Sequence, residues 1–466
     1  MPLILILADG ARADTLSAAS SGAEFPALAR LRREGEFHEI TSVFPSVTGP
    51  AYVPLLAGCF PGSAGVPGLR WFDRERSRCT RSPFCRSYLG TEMRHLDGDL
   101  SADARTLLEL SPSRFTAMSM LARGASRREQ IGRAPGALAR IALTHWRGRA
   151  DAWIALDRRV ARQAARRVRD RRPAFSFIAL LGVDKASHAC GQGSAAARSA
   201  LRVVDDMVAR IRHDAERSGT WDTTRIWVVS DHGHADIAAH DDLAGGIARA
   251  GWRVLAHPLV YRREPDVAVM VSGNAMAHLY VELSRRARPW WGTLAARWEP
   301  LVLALLDRPS IDLVILPHAP ERCEVRSRER GSAMIVRKRG LYSYLPHNGD
   351  PLGVGELRGV DVCAAHDALL DSDYPDALVQ IAHLAGSPRA GDLIVSAARG
   401  WDLRDSFEPM PHVSTHGALL REQMLVPLLV SHPLRRRPRR TADVMPSVAQ
   451  LLGVRPGDGL DGASFV

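Results

Sequence analysis

Lysine is nearly absent from this 466-residue sequence, which contains only Lys185 and Lys338. The formal net charge is nevertheless +11, so almost all of the positive charge comes from arginine. Such a bias mostly reflects genome composition. It also makes each of the two lysines worth separate consideration, because the chain uses this residue so rarely.

Long hydrophobic runs and paired cysteines are also missing. No apolar run approaches the roughly 20 residues of a membrane span. The first residues, from Met1 to Ala8, lack a leading positive charge, and Asp9 interrupts their apolar run, so they do not form a signal-peptide pattern. The six cysteines include no Cys-x-x-Cys pair of the kind that binds metals. We therefore expect a cytoplasmic protein without a transmembrane segment, and the sequence gives no indication of its oligomeric state.

Three apolar segments each end in an aspartate. Their sequences are those of buried parallel strands, and the residues that follow them are Asp9, Asp184 and Asp231. Because ligands of open α/β sheets bind outside the carboxyl ends of the strands, these side chains are candidates for one site. Taken alone, Asp9 could instead cap a helix that begins near Ala13, which is the less favoured alternative.

Histidines follow two of these aspartates. His188 comes four residues after Asp184, so both side chains lie on one face if a helical turn begins there. His232 directly follows Asp231, and a loop near the C-terminus contributes His416. A lone histidine is usually structural, but carboxylates and imidazoles in this order together indicate a metal site.

A candidate nucleophile lies in the turn-rich segment from Ser46 to Tyr52. Thr48 is followed there by Gly49 and Pro50, so its hydroxyl projects from a constrained turn. Taken alone, the same residues are also compatible with an ordinary turn or a helix start.

Together these motifs resemble the alkaline phosphatase superfamily and, within it, the type I phosphodiesterase/nucleotide pyrophosphatase family. The matching segments are Asp9-Gly10, Thr48-Gly49-Pro50, Asp184-x-x-x-His188-x-x-Gly191, Ser230-Asp231-His232-Gly233 and Thr415-His416-Gly417. The resemblance implies an α/β fold with a mostly parallel central sheet flanked by helices and an inserted cap subdomain.

The resemblance also implies two divalent metal ions, with zinc expected first and manganese or iron as alternatives. One ion would be held by Asp184, His188 and His416. The other would be held by Asp9, Asp231, His232 and the oxygen of Thr48. Thr48 would then attack phosphorus to give a phospho-threonine intermediate, which water hydrolyses.

Two departures from the family pattern bear on the substrate. Ala51 stands where the nucleotide pyrophosphatases carry an asparagine that helps to hold a phosphoryl oxygen, so nucleotide specificity is open. We suggest that Lys185 reaches a phosphoryl oxygen instead, against the alternative that it faces solvent. The sulfatase pattern, Cys or Ser with Arg four positions later, is absent, so formylglycine-dependent sulfate ester hydrolysis is not expected.

Composition and strand periodicity suggest how the chain is divided. Residues 1–257 and 390–466 would form the catalytic core, with an Arg-rich helical insertion at 71–173, and residues 258–389 would form the cap. Within the insertion, apolar residues recur at helical spacing between Trp153 and Ala164, as in a solvated amphipathic helix. In the cap we expect short strands at 277–281 and 313–316 and a loop at 345–350.

The function expected from the sequence is a two-metal hydrolase of small-molecule phosphate esters, preferably diesters. A phosphomonoesterase or a phosphonate hydrolase of the same superfamily is the nearest alternative. A non-catalytic basic protein that binds nucleic acid or a membrane surface is an alternative of another class. No nucleic-acid-binding module is recognisable, so we expect no specific nucleic-acid partner.

Overall fold

The computed structural model describes residues 1–79, 84–257, 264–404 and 411–466. The first residues of the predicted cap, 258–263, lie outside the described part of the chain, as do residues 80–83 of the predicted insertion. The described strands are β1 (Leu3–Ala8), β2 (Glu36–Thr41), β3 (Arg70–Phe72), β4 (Cys85–Ser87), β5 (Arg114–Ala117), β6 (Gln130–Ile131), β7 (Phe175–Leu180), β8 (Arg225–Val229), β9 (Ala235–His240), β10 (Val254–Ala256), β11 (Val267–Ser272), β12 (Met276–Tyr280), β13 (Ile311–Ala319), β14 (Arg322–Ser327), β15 (Gly331–Lys338), β16 (Leu341–Gly349), β17 (Leu357–Val360), β18 (Leu393–Ala397), β19 (Gly400–Asp402), β20 (Ser414–Thr415) and β21 (Leu425–Val430).

The helices alternate with these strands along much of the chain. They are α1 (Ala13–Ser21), α2 (Pro26–Glu34), α3 (Tyr52–Ala57), α4 (Arg74–Cys79), α5 (Leu96–Asp99), α6 (Leu107–Leu110), α7 (Pro135–Arg147), α8 (Ala150–Arg171), α9 (Gly182–Cys190), α10 (Ala195–Arg217), α11 (Leu243–Arg249), α12 (Trp291–Leu306), α13 (Val362–Leu369), α14 (Ala377–Gly386), α15 (Arg421–Met424) and α16 (Val444–Leu452). Short 3₁₀ helices cover Gly90–His95, Arg127–Glu129, Trp221–Thr223 and Thr441–Asp443. Within the described ranges, no helix combines the length and the apolar character needed to cross a bilayer.

The first sheet has the strand order β2-β21-β8-β1-β7-β5-β6. Strands β8, β1, β7, β5 and β6 run parallel to one another, whereas β21 is antiparallel to both β8 and β2. Every residue of β1 and β7 is buried, as expected for central strands covered by helices on both faces. The expected α/β fold with a mostly parallel central sheet is therefore confirmed.

Three neighbouring strands of this sheet bring the predicted acids together. In the order β8-β1-β7, their carboxyl ends lead directly to Asp231, to Asp9 and, through the first turn of α9, to Asp184. The backbone amide of Asp9 donates to the carbonyl oxygen of Leu180, at a distance of 3.1 Å, and so extends the β1–β7 pairing to the site itself. The predicted helical turn from Asp184 to His188 is confirmed by α9, and the amphipathic helix from Trp153 is confirmed by α8.

A second sheet has the order β10-β11-β12-β18-β13-β14-β15-β16-β17 and is antiparallel except between β10 and β11. It includes the strands predicted at 277–281 and 313–316. In sequence, two of its strands, β10 and β18, lie on either side of the predicted 258–389 segment, and β5 and β6 of the predicted insertion belong to the first sheet. The proposed division of the chain stays a prediction.

The loop predicted at 345–350 is wrong, because β16 continues to Gly349. Proline, asparagine and glycine in this stretch favour a turn in isolation. Here Pro346 pairs with Ala333 and Asn348 pairs with Ser332, so one extra residue, His347, lies on the β16 side. Such a bulge accommodates a residue that lacks the amide hydrogen of a regular ladder.

Candidate metal centre

One group of side chains surrounds Thr48 at the carboxyl end of β1. The Thr48 Oγ1 atom lies 3.3 Å from Oδ1 of Asp9 and 3.1 Å from Nε2 of His232. The same Nε2 atom is 3.5 Å from Oδ1 of Asp9 and 3.4 Å from Oδ2 of Asp231. The side chains of Asp9, Asp231 and His232 are all fully buried. The structure thus brings together the four residues that the sequence assigns to one metal ion.

A second group converges on one oxygen of Asp184. Its Oδ1 atom lies 3.2 Å from Nε2 of His188 and 3.5 Å from Nε2 of His416. A further imidazole, that of His234, is closer still, with Nε2 at 2.9 Å from the same oxygen. The sequence-predicted triad is therefore assembled, together with a histidine that was not assigned to it.

The other ring nitrogen of each histidine is fixed by the protein. The Nδ1 atoms of His188, His232 and His416 donate to the carbonyl oxygens of Ser414, Gly233 and Ser46, at 2.9, 3.1 and 3.0 Å. Because a carbonyl only accepts, each of these Nδ1 atoms carries the proton, and each Nε2 presents a lone pair to the cluster.

His234 follows the same rule through a hydroxyl. The Oγ atom of Ser414 lies 3.2 Å from the carbonyl oxygen of Ser187, to which it donates, and 2.9 Å from Nδ1 of His234. Since the hydroxyl proton is used in the first contact, Nδ1 of His234 donates in the second. The Nε2 lone pair of His234 therefore also points at Asp184.

Burial keeps the imidazoles of His232, His234 and His416 neutral. It lowers the pKa of His232 to about 4 and that of His234 to about 3, and it lowers the pKa of His416 well below its ordinary value. The lone pairs therefore face carboxylate oxygens without a proton between them. In the absence of a cation this arrangement is repulsive.

The carboxylates need a positive charge as well. Burial, and then the neighbouring charges of Asp231 and Asp184, raise the pKa of Asp9 well above its usual range. Burial, and then Asp184, raise the pKa of Asp231 to about 8. The Oδ2 atom of Asp231 is buried, and no hydrogen-bond donor among the described residues reaches it. Uncompensated buried carboxylates cost on the order of several kcal/mol each, and divalent cations between the two groups would remove that cost. The buried carboxylate and imidazole groups are therefore chemically suited to bind divalent metal ions.

Gly10 makes the close packing of the two groups possible. Its φ of +74° lies in the left-handed region, and a Cβ atom added there would lie 2.9 Å from Nε2 of His234 and 2.9 Å from Cα of Asp184. Its amide also donates to Oδ1 of Asp231 at 3.3 Å. Any side chain at this position would displace the histidine and the aspartate.

A cavity of about 590 Å³ opens directly onto Thr48, Asp9 and Asp184. Most of its wall is apolar, and half of its lining residues come from the predicted insertion, among them methionine, leucine, isoleucine and tryptophan side chains. The large apolar lining residues from that segment include Leu89, Met93, Met118, Met120, Ile141, Trp146 and Trp153. We call this cavity the chamber.

Polar groups on the chamber wall lie near the carboxylates. Lys185 places its Nζ atom 2.7 Å from Oδ2 of Asp184. Burial alone would raise the pKa of that carboxyl, but the ammonium group of Lys185 holds it well below its usual range. The guanidinium of Arg70 is also buried in the wall, and Asn274, from the turn between β11 and β12, lies 3.2 Å from Nδ1 of His412 through its Nδ2 atom.

Sequence reasoning missed three residues around the cluster. His234 occurs two positions after His232, so the spacing alone gave a signal that was not used. Tyr52 donates from its hydroxyl to Oδ2 of Asp9 at 2.8 Å, a contact that no spacing rule indicates. The ring of His412 packs against that of His188, with centroids 4.1 Å apart.

Solved structures with the same fold include phosphoester-active and phosphonate-active proteins. Human ectonucleotide pyrophosphatase/phosphodiesterase 5 has a TM-score of 0.59 and 14% identity, with 99% of this chain and 97% of that chain covered. An inactive form of the murine protein in complex with AMP has a TM-score of 0.58 and 13% identity, with 99% and 97% covered. Phosphonoacetate hydrolase from Sinorhizobium meliloti 1021, in complex with phosphonoformate, has a TM-score of 0.56 and 15% identity, with 97% and 96% covered. At these identities the likeness shows the fold.

No curated protein matches the sequence. A family model does match, however, over residues 3–289, which is more than half of the chain. The matched range contains Thr48 and all the candidate ligands except His416. On this match, the chain belongs to the type I phosphodiesterase/nucleotide pyrophosphatase family.

Proposed function

We propose that this protein is a metal-dependent phosphodiesterase that acts through a phospho-threonine intermediate. One observation carries the proposal: the Thr48 hydroxyl lies between Asp9 and His232 on the floor of a chamber large enough for a substituted phosphoester. Membership of the family supports hydrolysis of phosphate esters.

Two groups of residues would hold the cations. Asp184, His188 and His416 form one set, and Asp9, Asp231, His232 and Thr48 form the other. Zinc suits such mixed carboxylate and imidazole donors, and manganese or iron are alternatives. When bound, the ions supply positive charge that lowers the pKa of the nucleophile and stabilises the phosphoryl oxygens.

The residues of the chain provide position and orientation. Asp9 and His232 fix the Thr48 oxygen at the end of β1, so that it faces the chamber. Attack of this oxygen on phosphorus forms the Thr48 phosphoester as the bond to the leaving group breaks, and water then cleaves the phosphoester. The Nζ atom of Lys185, on the chamber wall, is suited to hold one phosphoryl oxygen in place of the asparagine that Ala51 replaces.

The chamber favours a diester. A diester carries one negative charge and needs space for a second substituent, whereas a monoester dianion benefits from additional fixed cations. The wall that continues from Thr48 is largely apolar, and its volume accommodates a second ester group.

A second candidate is a phosphomonoesterase or phosphonate hydrolase. Arg70 and Lys185 both line the chamber, and these two cations could bind additional anionic oxygens. The fold is compatible with this chemistry, since one structural neighbour is a phosphonoacetate hydrolase.

The test compares bis(p-nitrophenyl) phosphate with p-nitrophenyl phosphate, because the two share a leaving group and differ at the second ester position. Phosphonoacetate is assayed beside them, with protein whose metal content has been measured. We expect the diester to have the higher kcat/KM. Preference for the monoester or the phosphonate would assign the second candidate, and lack of turnover of all three by metal-loaded protein would contradict both.

A further inference from the structure

Helix α7 lies at the rim of the chamber, and none of its thirteen residues is buried. Ile141 and Trp146 face the cavity, yet Trp146 is 70% exposed. Leu143, on the same helix, is 48% exposed. An amphipathic helix normally buries its apolar face in the protein. Here the apolar side chains remain in contact with solvent.

The exposed apolar residues concentrate around this rim. Those with large side chains in the described part of the chain are Met1, Leu89, Leu143, Trp146, Leu303, Leu341 and Val413. Leu89 and Trp146 line the chamber, and Leu143 is one helical turn before Trp146. Val413 directly follows His412, which also lines the chamber. Exposed apolar residues that cluster rather than scatter indicate an interaction surface.

Positive charge predominates on the segment that carries this surface. Residues 133–150 contain four arginines and no acidic residue. Arg133 and Arg149 pair with Asp97 and Asp151. Arg140 and Arg147 are exposed, and among the described residues neither forms an ion pair. We call α7, with Leu89 and Val413, the rim face.

The combination of exposed apolar residues and arginines on the rim face favours an anionic lipid surface as the partner. Tryptophan and leucine next to arginine on one helix are typical of segments that lie in the surface of an anionic bilayer. A protein partner would cover the apolar residues equally well, but it would not account for their continuity with an apolar chamber that leads to Thr48. A lipid surface accounts for both, because an apolar chain could pass from the bilayer into the chamber.

We propose that the rim face docks on an anionic lipid surface and that the chamber takes phosphoesters bearing a long apolar chain from it. The substrate part of this proposal rests on the proposed function, whereas the docking part does not. Helix α8 carries more arginines than α7, but its apolar residues are buried against the protein, so it offers charge without an apolar contact.

Docking is tested by sedimentation with vesicles of phosphatidylcholine alone and of phosphatidylcholine mixed with phosphatidylglycerol. We expect the protein to bind the mixed vesicles. Replacing Leu143→Ser together with Trp146→Ser should weaken partitioning at least about tenfold. The matched control is Leu303→Ser with Leu341→Ser, which changes two leucines of comparable exposure outside the rim face.

A second pair of variants tests the contribution of arginine charge to vesicle binding. Arg140→Ser with Arg147→Ser should weaken binding to the mixed vesicles at least about tenfold, since each arginine near an anionic surface contributes about a factor of five. Arg162→Ser with Arg166→Ser removes the same charge from exposed positions of α8 and should have little effect. The docking proposal would be overturned if the wild-type protein did not bind the mixed vesicles. It would also be overturned if the Arg140/Arg147 and Arg162/Arg166 variants lost the same amount of vesicle binding. The docking proposal would also be overturned if the wild-type protein self-associated as its concentration rose and the Leu143/Trp146 variant did not.

Measuring the turnover of a vesicle-borne and a soluble diester distinguishes failure of this proposal from failure of the proposed function. An alkyl p-nitrophenyl phosphodiester is supplied in mixed vesicles, and bis(p-nitrophenyl) phosphate is supplied in solution. We expect the Arg140/Arg147 variant to lose turnover of the vesicle-borne diester while it retains turnover of the soluble one. Equal turnover of the vesicle-borne diester by variant and wild type would contradict the substrate assignment. If neither diester is hydrolysed but the wild-type protein binds mixed vesicles, the proposed function fails and docking stands.

Discussion

The Nε2 atom of His234 lies 2.9 Å from Oδ1 of Asp184, closer than either histidine that the sequence assigns to that aspartate. Its Nδ1 proton is used by Ser414, so the lone pair of Nε2 faces the carboxylate. His234 therefore has the orientation of a metal ligand, and it adds a fourth protein donor around Asp184.

Replacing His234→Ala should weaken metal retention by about 10- to 100-fold, because it removes a donor that directly faces the carboxylate. Metal content after dialysis against a competing chelator measures the effect without reference to activity. His278→Ala is the control, since His278 is equally buried but bonds to Pro67 and Gly391, away from the cluster. Equal metal content in the two variants would show that His234 only fills space.

Thr48→Ala should abolish turnover by several orders of magnitude while most of the metal remains bound. Thr48 is one donor among several but the only proposed nucleophile. Ser46→Ala is the comparison, because the Ser46 hydroxyl donates to the carbonyl of Ala418 and not toward the cluster. Turnover by the Thr48 variant at a rate near that of the wild type would require another nucleophile.

Lys185→Ala should lower kcat and kcat/KM together, by about a hundredfold, if its ammonium holds a phosphoryl oxygen in the transition state. The other lysine of the chain, Lys338, is exposed at the end of β15 and serves as control. Steady-state kinetics with a soluble diester measure kcat and kcat/KM for both lysine variants and the wild type. A rise in KM alone would mean that Lys185 contributes to substrate binding but not to the transition state.

Asp157 should make stability depend on pH. This buried carboxyl on α8 accepts hydrogen bonds from the amides of Leu181 and Gly182, at 3.2 and 2.6 Å. Burial raises its pKa from 3.8 to about 7. The folded state thus favours the protonated form, and the stability it contributes is complete below pH 3.8 and is lost as the pH rises through 7.

The variant Asp157→Asn resembles the protonated carboxyl and does not titrate. Relative to wild type, it should therefore gain stability as the pH rises from 4 to 7. Thermal unfolding midpoints in the presence of chelator measure this difference. Asp170→Asn, at an exposed position of α8, should show no such trend. A constant difference between the Asp157 variant and wild type would contradict the assigned titration.

The central sheet and the placement of its acids could be predicted from the sequence. Each of the three strands is an apolar run followed by an aspartate, and parallel strands bring such ends to one edge. Asp184 and His188 could be paired because helical spacing fixes their common face. In these cases local periodicity determines the geometry.

The remainder depends on contacts between distant segments. The orientation of His234 is set by Ser414, which is 180 positions further along the chain. The strand at 345–350 was missed because its turn-forming residues are accommodated by a bulge opposite Ser332 and Ala333. The apolar rim of the chamber could not be predicted either, because the same leucine and tryptophan pattern in α7 would suit a helix packed in the core.

Ser414 also determines when during synthesis the site can form. Its carbonyl orients His188 and its hydroxyl orients His234, and it lies 226 positions after His188. His416, two residues later, adds the last imidazole. A nascent chain that ends before this segment has the three aspartates and Thr48 but lacks the groups that aim two of the imidazoles. The complete set of candidate metal donors therefore forms only after synthesis has passed His416, so the segment at 414–416 sets the earliest point at which the whole site can fold.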